Sequence, residues 1–171
     1  MTRYVALLRG VNVGGVTIRM SELAALVAGL GYTDVTTVLA SGNVLFTSVD
    51  AAAVTQHALE VALRRRFGYE AWVHVLTVDA IRAIAAAYPF ERSAERHAYV
   101  VFAVTPEVRA ELLAVELDPA VEQAAPGEGV IYWSVPKGST LDSALGKAQA
   151  QAAYKPWLTT RNLNTVEKLT G

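Results

Sequence analysis

Apolar positions along the chain fall into short blocks whose spacing switches between two residues and three to four. Arg3–Arg9 reads as a first strand, with Val5 and Leu7 on one side and Ala6 and Leu8 on the other. A glycine-rich stretch, Gly10–Arg19, follows. Leu23, Leu26, Val27 and Leu30 then recur at helical spacing, with Ser21 placed to cap the start and Gly31 to end the helix. Strands are expected near Val35–Leu39 and Val44–Ser48, joined through Ser41-Gly42-Asn43. A second helix over Ala52–Phe67 carries Leu59, Leu63 and Phe67 on one stripe and Arg64–Arg66 at its C-terminal end, where the helix dipole favours cations. Ala71–Val78 completes a β-α-β-β-α-β order, the split-βαβ or ferredoxin-like unit.

The element order then repeats. A short helix, Asp79–Tyr88, and a charged linker, Glu91–Arg96, lead to a strand at His97–Val104. A helix opened by Thr105-Pro106 comes next, then strands near Ala120–Ala125 and Val130–Val135 and a helix over Thr140–Gln151 capped by Ser139. No closing strand is evident in this half. Tyr154-Lys155-Pro156-Trp157 and a final helix near Thr160–Leu169 stand in its place, and only the order of elements repeats. The expected fold is therefore α+β, with two ferredoxin-like (split βαβ) lobes built on antiparallel sheets, the second ending in a C-terminal helix. The lobes are expected at 1–78 and 97–171, with a short helix and linker at 79–96. Because both faces of the first and third strands are apolar, a second lobe or a second subunit is expected over the face the helices leave open.

Composition narrows the function classes. The 171 residues include 53% hydrophobic and 18% charged side chains and carry a net charge of −1. No global basic field points to nucleic acid or an acidic membrane, so an anion site must be local. The absence of cysteine excludes disulfides, thiolate nucleophiles and cysteine-ligated metals. Neither an export signal nor a run of about 18–20 apolar residues is evident, so the cytoplasm is the default location and no membrane partner is expected. His57, His74 and His97 lack ligand spacing, so neither a metal nor another cofactor is implied. No nucleophile motif surrounds Ser139 either, and catalytic residues stay unassigned.

Three segments could hold an anion. Gly10-Val11-Asn12-Val13-Gly14-Gly15-Val16-Thr17 nearly has phosphate-loop spacing, but Val16 stands where that loop needs lysine. What survives is a nest of backbone amides, or simply a tight connection with positive φ at Gly14 or Gly15. Ser41, Gly42 and Asn43 suit a hairpin turn. The first two strands run parallel in a split βαβ unit, so this turn, the glycine loop and the Gly68-Tyr69-Glu70 connection share one sheet edge with Arg9 and Asn12. The third segment is Thr160, Arg161 and Asn162, read as the start of the last helix. Between Gly146 and Gly171 there are four basic side chains and one acidic one.

Read together, Leu7–Gly15, Ala40–Phe46 and Thr159–Leu169 resemble the domain of unknown function 1697 family of bacterial proteins over essentially the whole chain. The resemblance implies a two-lobed fold related to ferredoxin-like units and no activity. Many members carry a basic residue after the paired glycines, where this chain has Val16. The expectation that follows is a cytosolic binding protein for a phosphate-bearing ligand such as a nucleotide or RNA, held by Arg9, Asn12, Gly14, Gly15, Ser41, Gly42, Asn43, Thr160, Arg161 and Asn162. An RNA-recognition platform needs exposed aromatics on its central strands, and Asn43–Ser48 does not supply them, so RNA would bind at the loop edge. The alternatives are a small-molecule enzyme with a cleft site and a non-catalytic homo-oligomeric scaffold.

Overall fold

The computed structural model describes residues 1–10 and 16–171. The chain divides into two units, Met1–Arg82 with Lys168–Gly171, and Ala83–Glu167. The first contains β1 (Thr2–Leu8), α1 (Met20–Gly29), β2 (Thr33–Thr37), β3 (Asn43–Ser48), α2 (Ala52–Phe67) and β4 (Val73–Thr77). Its antiparallel sheet has the order β2-β3-β1-β4. Helix α1 starts one residue before Ser21, with no side-chain cap. It ends as expected at Gly31, whose φ of +91° suits a residue without Cβ. Tyr4, Ala6, Leu8, Val44 and Phe46 pack with Leu23, Val27, Leu59 and Leu63 of the helices. Helix α3 (Val78–Ala86) follows β4 directly, and the Thr77 hydroxyl accepts the Ala80 N–H at 3.1 Å to cap it.

The second unit repeats this plan with β5 (Arg96–Ala103), α4 (Pro106–Leu113), β6 (Gln123–Pro126), β7 (Val130–Pro136), α5 (Ala144–Gln149), β8 (Leu158–Asn162) and α6 (Leu163–Lys168). The sheet order is β6-β7-β5-β8. The closing strand is therefore present. Thr159 and Thr160, expected to open a helix, belong to β8, where β-branched side chains fit the pleat. The cap falls to Asn162, whose Oδ1 accepts the Asn164 N–H at 2.9 Å. Helix α5 also starts later than expected, capped by Ser143 rather than Ser139. Gly146 is fixed by packing in α5, since a Cβ there would lie 1.7 Å from the Thr140 carbonyl oxygen.

The two registers reveal a residue-level repeat. Tyr4 lies opposite Phe46 and Thr77, and Tyr99 lies opposite Trp133 and Asn162. Both ring pairs are in contact, with centroids 5.7 and 5.1 Å apart. The same offset matches Leu8 with Ala103. Their N–H groups donate to Gly42 and Gly129, both at positive φ. One residue on, Arg9 donates to the Trp72 carbonyl and Val104 to that of Trp157.

The second unit buries a carboxylate. Glu122 is buried, and its carboxylate accepts the Trp133 indole N–H at 3.0 Å and the Ala144 and Leu145 N–H groups at 2.9 and 3.3 Å. It joins the segment before β6 to β7 and to the first turn of α5. Removing the acceptor strands three donors in the core, so Glu122→Ala is expected to cost about 3 kcal/mol, measured by chemical denaturation. A loss below about 1 kcal/mol would mean that the carboxylate is dispensable to the fold.

Candidate functional site

The end of β1 assembles the site. The Leu8 N–H bonds to the Gly42 carbonyl at 2.8 Å on one side, and the Arg9 N–H bonds to the Trp72 carbonyl at 3.2 Å on the other. Arg9, the Ser41–Asn43 turn and the chain leading into β4 therefore meet at one edge of the first sheet, as the topology predicts. Asn12, Gly14 and Gly15 lie outside the described residues. At the head of that loop, Gly10 has φ +70°.

The turn is held from within. Asn43 is buried, and its Nδ2 donates to the Val38 carbonyl at 2.8 Å and the Ser41 hydroxyl at 2.9 Å. The Val38 N–H returns a bond to the Asn43 carbonyl at 2.9 Å. Asn43 is thus a structural clamp rather than a free ligand group. Inside the clamp Leu39 adopts φ +60°, a left-handed conformation that costs a non-glycine residue roughly 1 kcal/mol or more, while its side chain is half exposed. Gly42 takes φ +86° without that cost.

Two polar groups of this unit lack partners among the described residues. Arg9 is partly buried, its Nε is shielded from solvent without a hydrogen bond, and no carboxylate pairs with it among the described residues. Burial alone holds its pKa below the ordinary arginine value. The Tyr69 hydroxyl, three residues before Trp72, is also shielded without a partner, and burial pushes its pKa up to about 12. Buried polar groups in folded proteins almost always find partners, so both groups are exceptions in the ligand-free fold.

The C-terminal candidates are placed differently. Thr160, Arg161 and Asn162 lie on β8 in the second unit, not at a helix start. Arg161 is only 8% exposed, and its Nη1 donates to the Thr159 hydroxyl at 2.6 Å and the Thr160 carbonyl at 3.1 Å. Thr160 donates to Gln149 Oε1 at 2.7 Å. Strand alternation separates Arg161 from its neighbours Thr160 and Asn162, so these residues form no helix-terminal anion site. Asn162 instead lines a pocket with Arg92, Arg96, His97 and Lys137, four residues that sequence reasoning did not select. No group of histidines and acids suited to a metal occurs among the described residues, and no described helix is long and apolar enough to cross a membrane.

These features define an α+β protein of two split-βαβ units with an unpaired cation at the first sheet's edge. The chain belongs to the family described as "Protein of unknown function (DUF1697)", whose model matches residues 1–132. A solved structure, "The structure of conserved bacterial protein SP0830 from Streptococcus pneumoniae", is similar at 26% identity and a TM-score of 0.81, covering 99% of this chain and 97% of that one. No curated protein matches.

An unpaired, desolvated cation is a liability in the ligand-free fold. Arg9→Met keeps the aliphatic stem and removes the charge. It is expected to stabilise the ligand-free protein by about 1 kcal/mol, a rise of roughly 2–4 °C in Tm by calorimetry. A fall in Tm would show that Arg9 serves the fold.

Proposed function

We propose that this is a cytoplasmic binding protein for a phosphate-bearing ligand, with the phosphate at the Arg9 edge of the first sheet. The observation that carries the reading is the partly buried Arg9 guanidinium with no counter-charge among the described residues. A planar guanidinium with free N–H groups suits a phosphate, which can accept two parallel bonds from it. Gly42 and Ser41 bring backbone and a hydroxyl to the same edge, and Tyr69 offers a second donor. Tyr4 and Phe46 on the central strands are buried in the core, so stacking of bases across those strands through these rings has no support. A nucleotide at the edge fits better than an RNA laid over the sheet.

The test is thermal denaturation with nucleotides, sugar phosphates and short RNA. A ligand present at about 100 times its Kd adds roughly 2.7 kcal/mol, or about 5–10 °C for a chain of this length. At least one nucleotide is expected to raise the Tm of the wild-type protein and to lose that effect in Arg9→Met. An undiminished rise in Arg9→Met would contradict the reading.

A further inference from the structure

We infer that the second unit carries a separate site for a small dianion of the phosphate-monoester class, at the end of its sheet where β5 begins and β7 and β8 finish. A pocket of about 280 Å³ opens there, lined by Arg92, Arg96, His97, Lys137 and Asn162 among others, and no carboxylate lines it. The residues come together through the register. Arg96 pairs with Pro136, which places Lys137 just beyond, and Tyr99 pairs with Asn162. The Lys137 N–H also bonds to the Glu95 carbonyl at 2.9 Å, fixing its backbone against the start of β5.

Two of the cations lack an acid. Arg96 donates to the Ser134 hydroxyl at 2.9 Å and to the Val121 and Ser134 carbonyls at 2.9 and 3.0 Å, all neutral acceptors. The Lys137 ammonium has no partner among the described residues. Arg92, by contrast, is neutralised by Glu167 and also bonds to Asn164. Lys137 therefore brings one uncompensated charge to the pocket, and Arg96 adds a second at the same sheet end, its Nε and Nη2 held by Ser134 and the Val121 carbonyl. Asn162 uses its oxygen for the α6 cap, which leaves its amide N–H groups as donors. The imidazole of His97, packed beside the Tyr99 ring at 5.2 Å, forms another wall.

The internal repeat supplies a control. The matching pocket of the first unit, about 540 Å³, is lined by Arg3, Asp79 and Arg82. There Arg82 pairs with Asp79 at 2.7 Å. Asp79 corresponds in the repeat to Asn164, so the acid on the first turn of the following helix becomes an amide in the second unit. Arg3 of the first pocket donates only to the Asp34 carbonyl and the Thr47 hydroxyl, so one uncompensated cation remains there and the surplus is larger in the second pocket.

The experiment is a backbone amide NMR titration of the full chain with inorganic phosphate at constant ionic strength, so that screening does not change. Saturable shifts are expected at Ser93, Ala98 and Asn164. Lys137 is exposed and its side chain makes no hydrogen bond or ion pair among the described residues, so Lys137→Ala should fold normally. It is expected to weaken the Kd roughly tenfold, while Lys137→Arg binds within about threefold of wild type. Shifts that grow linearly without saturating, or that survive Lys137→Ala unchanged, would overturn the inference. Arg9→Met should leave these shifts intact, so failure here and failure at the Arg9 edge are separately visible.

Discussion

Each unit depends on a central strand hydrogen-bonded on both sides. β1 lies between β3 and β4, and β5 between β7 and β8. Because both neighbours run antiparallel to it, the register of that one strand decides which residues arrive together at each end of the sheet. At the end of β1 it delivers Arg9 between the Gly42 turn and Trp72. At the end of β5 it delivers Val104 between Gly129 and Trp157. The backbone solution is the same and the side chain differs. In the second unit Glu128 also stands where the first has Ser41, so that edge has lost its cation and gained an acid. At the opposite end the asymmetry reverses, and the cations collect in the second unit. A repeated scaffold thus places cations without an acid partner among the described residues at opposite sheet ends in its two copies.

The contrast between Glu122 and Arg9 separates a charge the fold accounts for from one it does not. Glu122 is almost fully buried but accepts three N–H groups, so its charge is accounted for by the fold. Arg9 is less buried yet has no acid partner among the described residues. The physics of desolvation makes the first arrangement self-sufficient and the second incomplete. Tyr69 belongs with Arg9, since a hydroxyl shielded from water without a partner adds nothing to the ligand-free state.

Much of the fold was legible because the period of apolar residues changes at each element boundary, as in Leu23–Leu30 and Leu59–Phe67. The meeting of Arg9 with Ser41–Asn43 followed from topology alone, since a split βαβ unit sends those two chain ends to one edge. β8 was not legible: a five-residue strand of threonines, arginine and asparagine behind Lys155-Pro156 looks like a capped helix start, and only pairing with β5 decides the matter. The residue-level repeat was hidden because matched positions are seldom identical, and loops of unequal length separate Tyr4 from Tyr99 and Trp72 from Trp157. The basic pocket was missed for a related reason. A charged stretch such as Glu91–Arg96 usually reads as solvated linker, and Lys137 and Asn162 join it only through strand register. The orphan atoms of Arg9 and Tyr69 leave no sequence signal, because they are properties of burial.

The most direct measurement is of the Arg9 guanidinium itself, through the Nε–H resonance of protein labelled with nitrogen-15 in arginine. Without ligand its proton, shielded from solvent and without an acceptor, should resonate as an unbonded group. On addition of a nucleotide that stabilises the protein, the signal should shift downfield and sharpen as a charge-assisted hydrogen bond forms. A resonance that stays unchanged while the nucleotide binds elsewhere would contradict the account and return Arg9 to an accident of packing.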